Sequence, residues 1–220
     1  GKAPVPGTTA AWEGQRIRDV LIQGNTFYKN PLFKIPGYGD PKGWFEVKDG
    51  SRLTLNGNAF FGYPSVMVFT ARNQTGAAPW SRIDDLVITN NIVTGYTDGL
   101  ILLMTDTYHV SEPSKNVTVA NNLFVPGSIR SASLQNMALL ASVNGASNVQ
   151  IHHNTATGLA KGLIYTESAS SGLVFRDNIL SNGTYGMGCL VPPATRDTCW
   201  PGLVMNKNVV IDNRTNRDYA

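Results

Sequence analysis

Five side chains of this sequence carry functional groups that could take part in acid–base or electrostatic catalysis. They are Glu46, Arg72, Asp106, His109 and Glu167. Glycoside hydrolysis requires two carboxyl groups separated by roughly 5–10 Å, and Glu46 with Asp106 would meet this requirement if their segments stack. The alternative stays open for each residue: Glu46, Asp106 and His109 could be solvated surface residues, and Arg72 could tie down the loop that follows it.

Four neighbouring residues could contact a substrate: Trp44, Lys48, Asn73 and Tyr108. Alternation along 44–48 predicts that Phe45 and Val47 point inward and that Trp44, Glu46 and Lys48 point outward. Aromatic faces stack on sugar rings, which favours a carbohydrate ligand. Loop aromatics equally often pack a loop against the body of the protein, and this alternative also stays open.

A repeated phrase positions these residues. It has the pattern apolar-x-apolar-x-x-Asn-x-apolar and occurs seven times, starting with VLIQGNTF at residues 20–27 and LTLNGNAF at 53–60. By subtraction of residue numbers, its asparagines are 33, 33, 31, 32, 24 and 30 residues apart. A period in this range indicates a repeat architecture. The seven asparagines are Asn25, Asn58, Asn91, Asn122, Asn154, Asn178 and Asn208.

Each phrase reads as a strand, a tight corner and a second strand. The two apolar residues before the asparagine alternate with period two, which is typical of a half-buried strand. Asparagine tolerates the left-handed backbone region, so we place the corner there. None of the seven asparagines is followed by the Gly that favours a hairpin turn. Stacked coils, with like residues above like, would pair the asparagine side chains in a ladder.

A second strand family lies between the phrases, at 44–47, 66–70, 100–105, 137–142, 162–167 and 185–190. The predicted fold is therefore all-β: a right-handed parallel β-helix, or β-solenoid, of about seven coils with an Asn ladder. We predict a single domain over residues 1–220. Because we find no capping helix at either end of the repeats, we expect either a fragment or module of a longer protein, or ends that pair with something else.

Composition narrows the function classes. The chain has 220 residues, of which 42% are hydrophobic and 15% charged, enough for a sizeable core. A net charge of +3 without a basic run argues against nucleic acid as a partner. No apolar stretch reaches the length of a membrane span, and the opening GKAPVPG lacks the apolar region of a signal peptide. Asn-x-Ser/Thr triplets occur at Asn73, Asn116, Asn182 and Asn213.

The two cysteines, Cys189 and Cys199, bracket a short proline-containing loop. We predict a disulfide between them and hence an oxidising compartment, with two free thiols as the alternative.

For metals we predict no site and no cofactor. Asp84 and Asp85 read as turn residues, and calcium at Asp106 is the one option without a clear ligand set. His152 and His153 precede a ladder asparagine, and we expect one ring to point to solvent and the other into the turn.

Several longer strings resemble secreted bacterial proteins with right-handed parallel β-helix repeats, within the pectate-lyase-like superfamily. They include NTFYKNPLF at 25–33, WFEVKDGSRLTLNGNAF at 44–60 and FRDNILSNGTYGMG at 175–188. The resemblance implies a secreted protein with a substrate lying along the strand family between the phrases. It also implies that Arg72 or Lys48 could act as the base of a lyase. The dense Asp cluster and the paired-Asp signature of the superfamily's lyases and hydrolases are absent from the sequence.

Two functions follow as expectations. The first is a secreted protein that binds, or cleaves, an extracellular polysaccharide. The second is a non-catalytic structural or adhesive module whose ends stack on copies of itself into filaments, or which caps a larger surface protein.

Overall fold

A computed structural model describes residues 16–30, 43–62, 67–73, 76–96, 101–104, 109–126, 139–159, 162–181, 183 and 186–211. Three sheets of parallel strands wind around a common core. Sheet A holds the strands before the ladder asparagines: β1 (Arg18–Gln23), β4 (Gly50–Asn56), β7 (Ile83–Thr89), β10 (Lys115–Ala120), β13 (Ser147–His152), β16 (Val174–Arg176) and β19 (Val204–Asn206).

Sheet B holds the strands after the asparagines: β2 (Thr26–Lys29), β5 (Ala59–Gly62), β8 (Ile92–Tyr96), β11 (Leu123–Pro126), β14 (Thr155–Ala156), β17 (Ile179–Ser181) and β20 (Val209–Ile211). Sheet C holds the second strand family: β3 (Phe45–Val47), β6 (Met67–Thr70), β9 (Ile101–Met104), β12 (Leu139–Ser142), β15 (Gly162–Thr166) and β18 (Met187–Cys189). The predicted parallel β-solenoid is confirmed. The solenoid has about five turns, slightly fewer than the seven coils predicted.

The core consists of rows of like residues stacked from coil to coil. Sheet B contributes an inward row in which Phe60, Val93 and Phe124 are fully buried. At its start the rings of Phe27 and Phe60 stack in parallel, with centroids 4.6 Å apart. Because each inward position repeats in every coil, one apolar core runs the length of the solenoid.

The asparagine ladder is present in all seven repeats. In the middle of the stack, the backbone N–H and Nδ2 of Asn91 both donate to Oδ1 of Asn122, at 2.9 Å each. Nδ2 of Asn122 donates in turn to Oδ1 of Asn154 and back to the carbonyl of Ile88, at 3.0 and 2.9 Å. Each interior asparagine therefore satisfies polar groups of three successive coils. Their side chains are almost fully buried, so these groups have no access to water.

The corner itself lies one residue earlier than predicted. The ladder asparagines do not have positive φ; the residues before them do, as at Asn90 with 58° and Asn121 with 56°. A second left-handed residue starts each phrase five positions earlier, as at Asp85 and Asn116. Gly, Asn and Asp fill most of these positions, as the steric cost of the left-handed region requires. The ladder residue is thereby free to use its amide for coil-to-coil contacts.

The earlier corner carries a second, exposed row of polar contacts. Nδ2 of Asn116 donates to Oδ1 of Asp85 at 2.9 Å, and Nδ2 of Asn148 donates to Oδ1 of Asn116 at 2.8 Å. At the start of the row Arg52 forms an ion pair with Asp19. Asn116 is the first residue of a glycosylation triplet and takes part in this row.

A network of charges braces the corner between sheets C and A. The side chain of Arg16 is only 5% exposed, and its Nε donates to Oδ1 of Asp49 at 2.8 Å. The same Asp49 oxygen accepts from the backbone N–H of Arg82 at 3.1 Å. Arg82 binds Asp84 and Glu112 through its own guanidinium, and these contacts raise its pKa. The network thus joins the starts of four successive coils.

The predicted disulfide between Cys189 and Cys199 is confirmed. It links β18 to the short helix α1 (Arg196–Cys199), whose first turn is capped by Thr195. Cys199 is fully buried and Trp200 is nearly so. Within the described residues, no helix is long and apolar enough to cross a bilayer.

Candidate functional site

The first cluster of candidate residues lies near the start of sheet C. Glu46 on β3 and Lys48 directly after this strand are both exposed, and Nζ of Lys48 lies 3.4 Å from Oε1 of Glu46. The backbone N–H of Arg72 donates to the carbonyl of Lys48 at 3.1 Å, so the two residues occupy adjacent coils. The structure therefore brings together three predicted site residues. The carboxylate of Glu46 is already near a cation there.

Trp44 does not point outward as predicted. It is 8% exposed, its ring packs 6.2 Å from that of Phe60, and its Nε1 donates to the carbonyl of Phe61 at 3.3 Å. The alternation rule fails because β3 begins at Phe45, so Trp44 precedes the strand that would fix its direction.

Asn73, expected to contact substrate, is a buried loop anchor. Its Nδ2 donates to the carbonyl of Val110 at 2.9 Å, and its Oδ1 accepts from the backbone N–H of Ala78 at 2.7 Å. The sequence suggested that Arg72 holds this loop in place; in the structure Asn73 does so at least in part. Burial to 4% exposure leaves this amide little surface for a ligand.

A second cluster lies near the other end of sheet C, around Glu167. The hydroxyl of Tyr165 donates to Oε1 of Glu167 at 3.1 Å, and the backbone N–H of Glu167 donates to Oδ1 of Asn144 at 2.5 Å. Partial burial, together with the hydrogen bond to Glu167, raises the pKa of Tyr165. The cluster is a half-exposed aromatic ring beside a fixed, exposed carboxylate.

Gly188 makes room for this ring. It is the register partner of Tyr165 on β18, and a Cβ at this position would lie 3.1 Å from Cδ2 of the tyrosine. The ring therefore lies over the neighbouring strand of sheet C. Sequence reasoning missed Tyr165, although the buried Ile164 and Thr166 on either side of it carry the alternation signal that would have placed it outward.

The two clusters are too far apart to act on one bond. Register pairing puts Glu46, Val68 and Tyr165 in one row of sheet C, with β9 and β12 between the last two. Four strand spacings separate β3 from β15, which is about 19 Å. Glu46 and Glu167 therefore cannot form the carboxylate pair of a glycoside hydrolase, which needs roughly 5–10 Å.

The other candidates give no further geometry. Asp106 and Tyr108 lie outside the described residues, so pairing of Glu46 with Asp106 stays a prediction, as does calcium at Asp106. Asn182 and Asn213 also lie outside them. His109 is half-buried. Among the described residues, no group of three or more His, Cys, Asp or Glu side chains is arranged to hold a metal ion.

Among the residues that the structure describes, none covers the last coil of the solenoid. A cavity of about 690 Å³ is lined there by Met187, Trp200, Leu203, Met205 and Val210. Met205 belongs to an inward row, paired with the buried Phe175, yet it is 41% exposed because no described coil covers it.

At each end of the asparagine ladder, one hydrogen-bonding group has no ladder partner among the described residues. Within the described residues, Oδ1 of Asn25 accepts no ladder bond, and the backbone N–H of Asn208 donates none.

Comparisons with protein families, with curated proteins and with solved structures find no match to this chain. The fold therefore rests on the chain's own geometry, and the comparisons add no support to the resemblance to the pectate-lyase-like superfamily.

Proposed function

We propose that this protein binds an extracellular polysaccharide along the outer face of sheet C. The observation that carries the proposal is the Tyr165–Glu167 cluster. An aromatic ring offers an apolar platform for a sugar ring, and a fixed carboxylate beside it accepts hydrogen bonds from sugar hydroxyls. The parallel strands of sheet C continue on both sides of this cluster, which suits a chain-like ligand.

The charge at the cluster favours a neutral polysaccharide. Glu167 is exposed and has a phenol, rather than a cation, as its side-chain partner. A uronate carboxylate placed beside it would be repelled, whereas a neutral hydroxyl would be bound. The disulfide suits an oxidising, extracellular setting, where such polymers occur. Binding, rather than cleavage, is the activity that the described residues support.

Replacing Tyr165 with alanine tests this proposal. We expect the Tyr165→Ala variant to bind a neutral glucan or galactan at least about tenfold more weakly than the parent chain, equivalent to about 1.4 kcal/mol. Affinity electrophoresis with a panel of neutral polysaccharides and polygalacturonate, followed by calorimetry on any ligand found, measures the change. The matched control is Tyr28→Ala, because Tyr28 is an exposed tyrosine on sheet B.

Equal loss in both variants would contradict a specific site on sheet C, as would the absence of retardation by every polymer. Preferential binding of polygalacturonate would contradict the choice of a neutral ligand.

A second function is supported by the open end: a structural module whose copies stack head to tail. A second copy placed in register on the last coil would put Asn25 above Asn208, so that the donors of Asn208 meet the unused Oδ1 of Asn25. It would also cover Met205 with the inward-facing Ile22, which is the first residue of the same row. Continuation of the pattern would therefore satisfy both the polar and the apolar groups left at the two ends.

A head-to-tail contact of this kind does not close on itself, so it would produce filaments.

A charge placed at the open end tests the stacking. We expect the parent chain to form species larger than its 23.8 kDa monomer as concentration rises, and Met205→Lys to remain monomeric. Sedimentation velocity and electron microscopy measure this, with circular dichroism to show that the variant is folded. Val209→Lys is the control, because Val209 lies on the outward face of the same coil and is already 57% exposed. A parent chain that stays monomeric, or equal effects of both lysines, would overturn stacking through this end.

A further inference from the structure

His152 and His153 meet at one corner of the solenoid, where His153 is exposed and His152 is half-buried. Their Nδ1 atoms lie 2.8 Å apart, and their ring planes are nearly perpendicular, at 85°. Neighbouring residues of a strand normally point to opposite faces. Here β13 ends at His152, and His153 takes a left-handed conformation with φ of 55°, which turns the second ring back toward the first.

The 2.8 Å separation of the two Nδ1 atoms is that of a hydrogen bond, and it also lies within the spacing of two cis ligands of one metal ion, toward which a rotation of the rings would turn both lone pairs. Imidazole nitrogens bind divalent transition metals at about 2.0 Å, so two of them at 90° on one ion are about 2.8 Å apart. A tetrahedral angle would require about 3.3 Å. Right-angled coordination is the preference of Cu²⁺ and Ni²⁺ in nitrogen-rich sites, whereas Zn²⁺ favours the tetrahedral arrangement.

We propose that His152 and His153 form a two-imidazole site for Cu²⁺ or Ni²⁺, with solvent completing the coordination. In the unliganded pair one Nδ1 carries a proton and donates it to the other ring. Metal binding moves that proton to Nε2 of the same ring, so both Nδ1 lone pairs point at the ion and no net proton is released from a neutral pair.

The surroundings of the pair allow a cation to enter. Register pairing places Arg176 beside His152 on the next coil, and the guanidinium of Arg176 binds the carboxylate of Asp177. The positive charge facing the site is therefore already partnered. Desolvation lowers the pKa of His152, with Arg176 and His153 adding to the effect.

Titration of the full chain with CuCl₂ and with NiCl₂ tests the site. The expected result is one strong equivalent per chain by calorimetry, with nitrogen hyperfine structure in the copper spectrum by electron paramagnetic resonance. His152→Ala and His153→Ala are each expected to weaken binding about tenfold or more. The matched control is His109→Ala, because His109 is the one other histidine of the sequence. We expect this variant to bind the metals like the parent chain.

Both imidazoles are on the surface corner, so their removal should leave the fold intact, as circular dichroism would check. Binding should also weaken as the pH falls from 7.5 to 5.5, because protonated imidazole cannot coordinate. Copper or nickel binding that persists in both alanine variants, for example at the amino terminus, would overturn the proposal. So would a parent chain that binds neither metal.

Discussion

Replacement of Asn122 with alanine is expected to destabilise the protein by about 3–5 kcal/mol. The substitution removes the acceptor of two buried donors, the backbone N–H and Nδ2 of Asn91, and the donor to the carbonyl of Ile88. Each buried polar group left without a partner costs about 1–3 kcal/mol, since water cannot reach it. Thermal unfolding followed by circular dichroism should show a midpoint lowered by roughly 10 °C or more.

The matched control is Asn25→Ala at the first rung of the ladder. Asn25 is exposed, and within the part of the chain that the structure describes its Oδ1 accepts no ladder bond, so its loss leaves no buried donor there without an acceptor. We expect a clearly smaller effect there. Equal destabilisation by the two variants would show that the ladder acts through its ends, or through local corner geometry, rather than through buried coil-to-coil hydrogen bonds.

Asp49→Ala is expected to have the next largest effect, a loss of about 3 kcal/mol. It leaves the nearly buried guanidinium of Arg16 with Asp84 at 3.5 Å as its remaining carboxylate, and the backbone N–H of Arg82 without its acceptor. Removing one partner of a buried ion pair strongly destabilises a protein, because the other charge stays desolvated. Urea unfolding by tryptophan fluorescence measures the change, and the free energy of unfolding should depend little on salt.

Asp19→Ala provides the comparison, since it also breaks an aspartate–arginine pair. Asp19 and Arg52 are 67% and 52% exposed, with an Nη2 to Oδ2 distance of 2.7 Å. The hydrogen bond from Arg52 lowers the pKa of Asp19, yet solvent screens the pair. We expect stability close to that of the parent chain. A larger loss from Asp19→Ala than from Asp49→Ala would contradict the role assigned to burial.

The fold was readable from the sequence because its signal repeats. A single Asn-x-apolar corner carries little information, but seven copies in phase leave few alternatives to a stack of parallel coils. The six strands of sheet C were also located to within a few residues, from apolar runs between the phrases. The left-handed residue was predicted at the ladder asparagine, but it lies one position earlier. In the first two repeats that position is Gly24 and Gly57, so the repeated asparagine drew attention to the wrong residue.

The candidate site was less predictable, since it depends on contacts that do not repeat. Trp44 turns inward because its strand starts one residue later, and Asn73 is buried by a loop whose path the period does not determine. Tyr165 lies over a neighbouring strand only because Gly188 leaves space there, and the two residues are 23 positions apart in the sequence. Similarly, the histidine rings meet because of a backbone angle at one corner.

The paired left-handed corners set where this chain can change length. Within every phrase they are five residues apart, as at Asp19 and Gly24 or Gly172 and Asp177, while the coils themselves range from 24 to 33 residues. All of that variation therefore falls in the segments that lead into and out of sheet C. Insertions and deletions in these segments do not change the register of the asparagine ladder. The loops beside the proposed binding face can therefore vary in length while the stacked coils keep their arrangement.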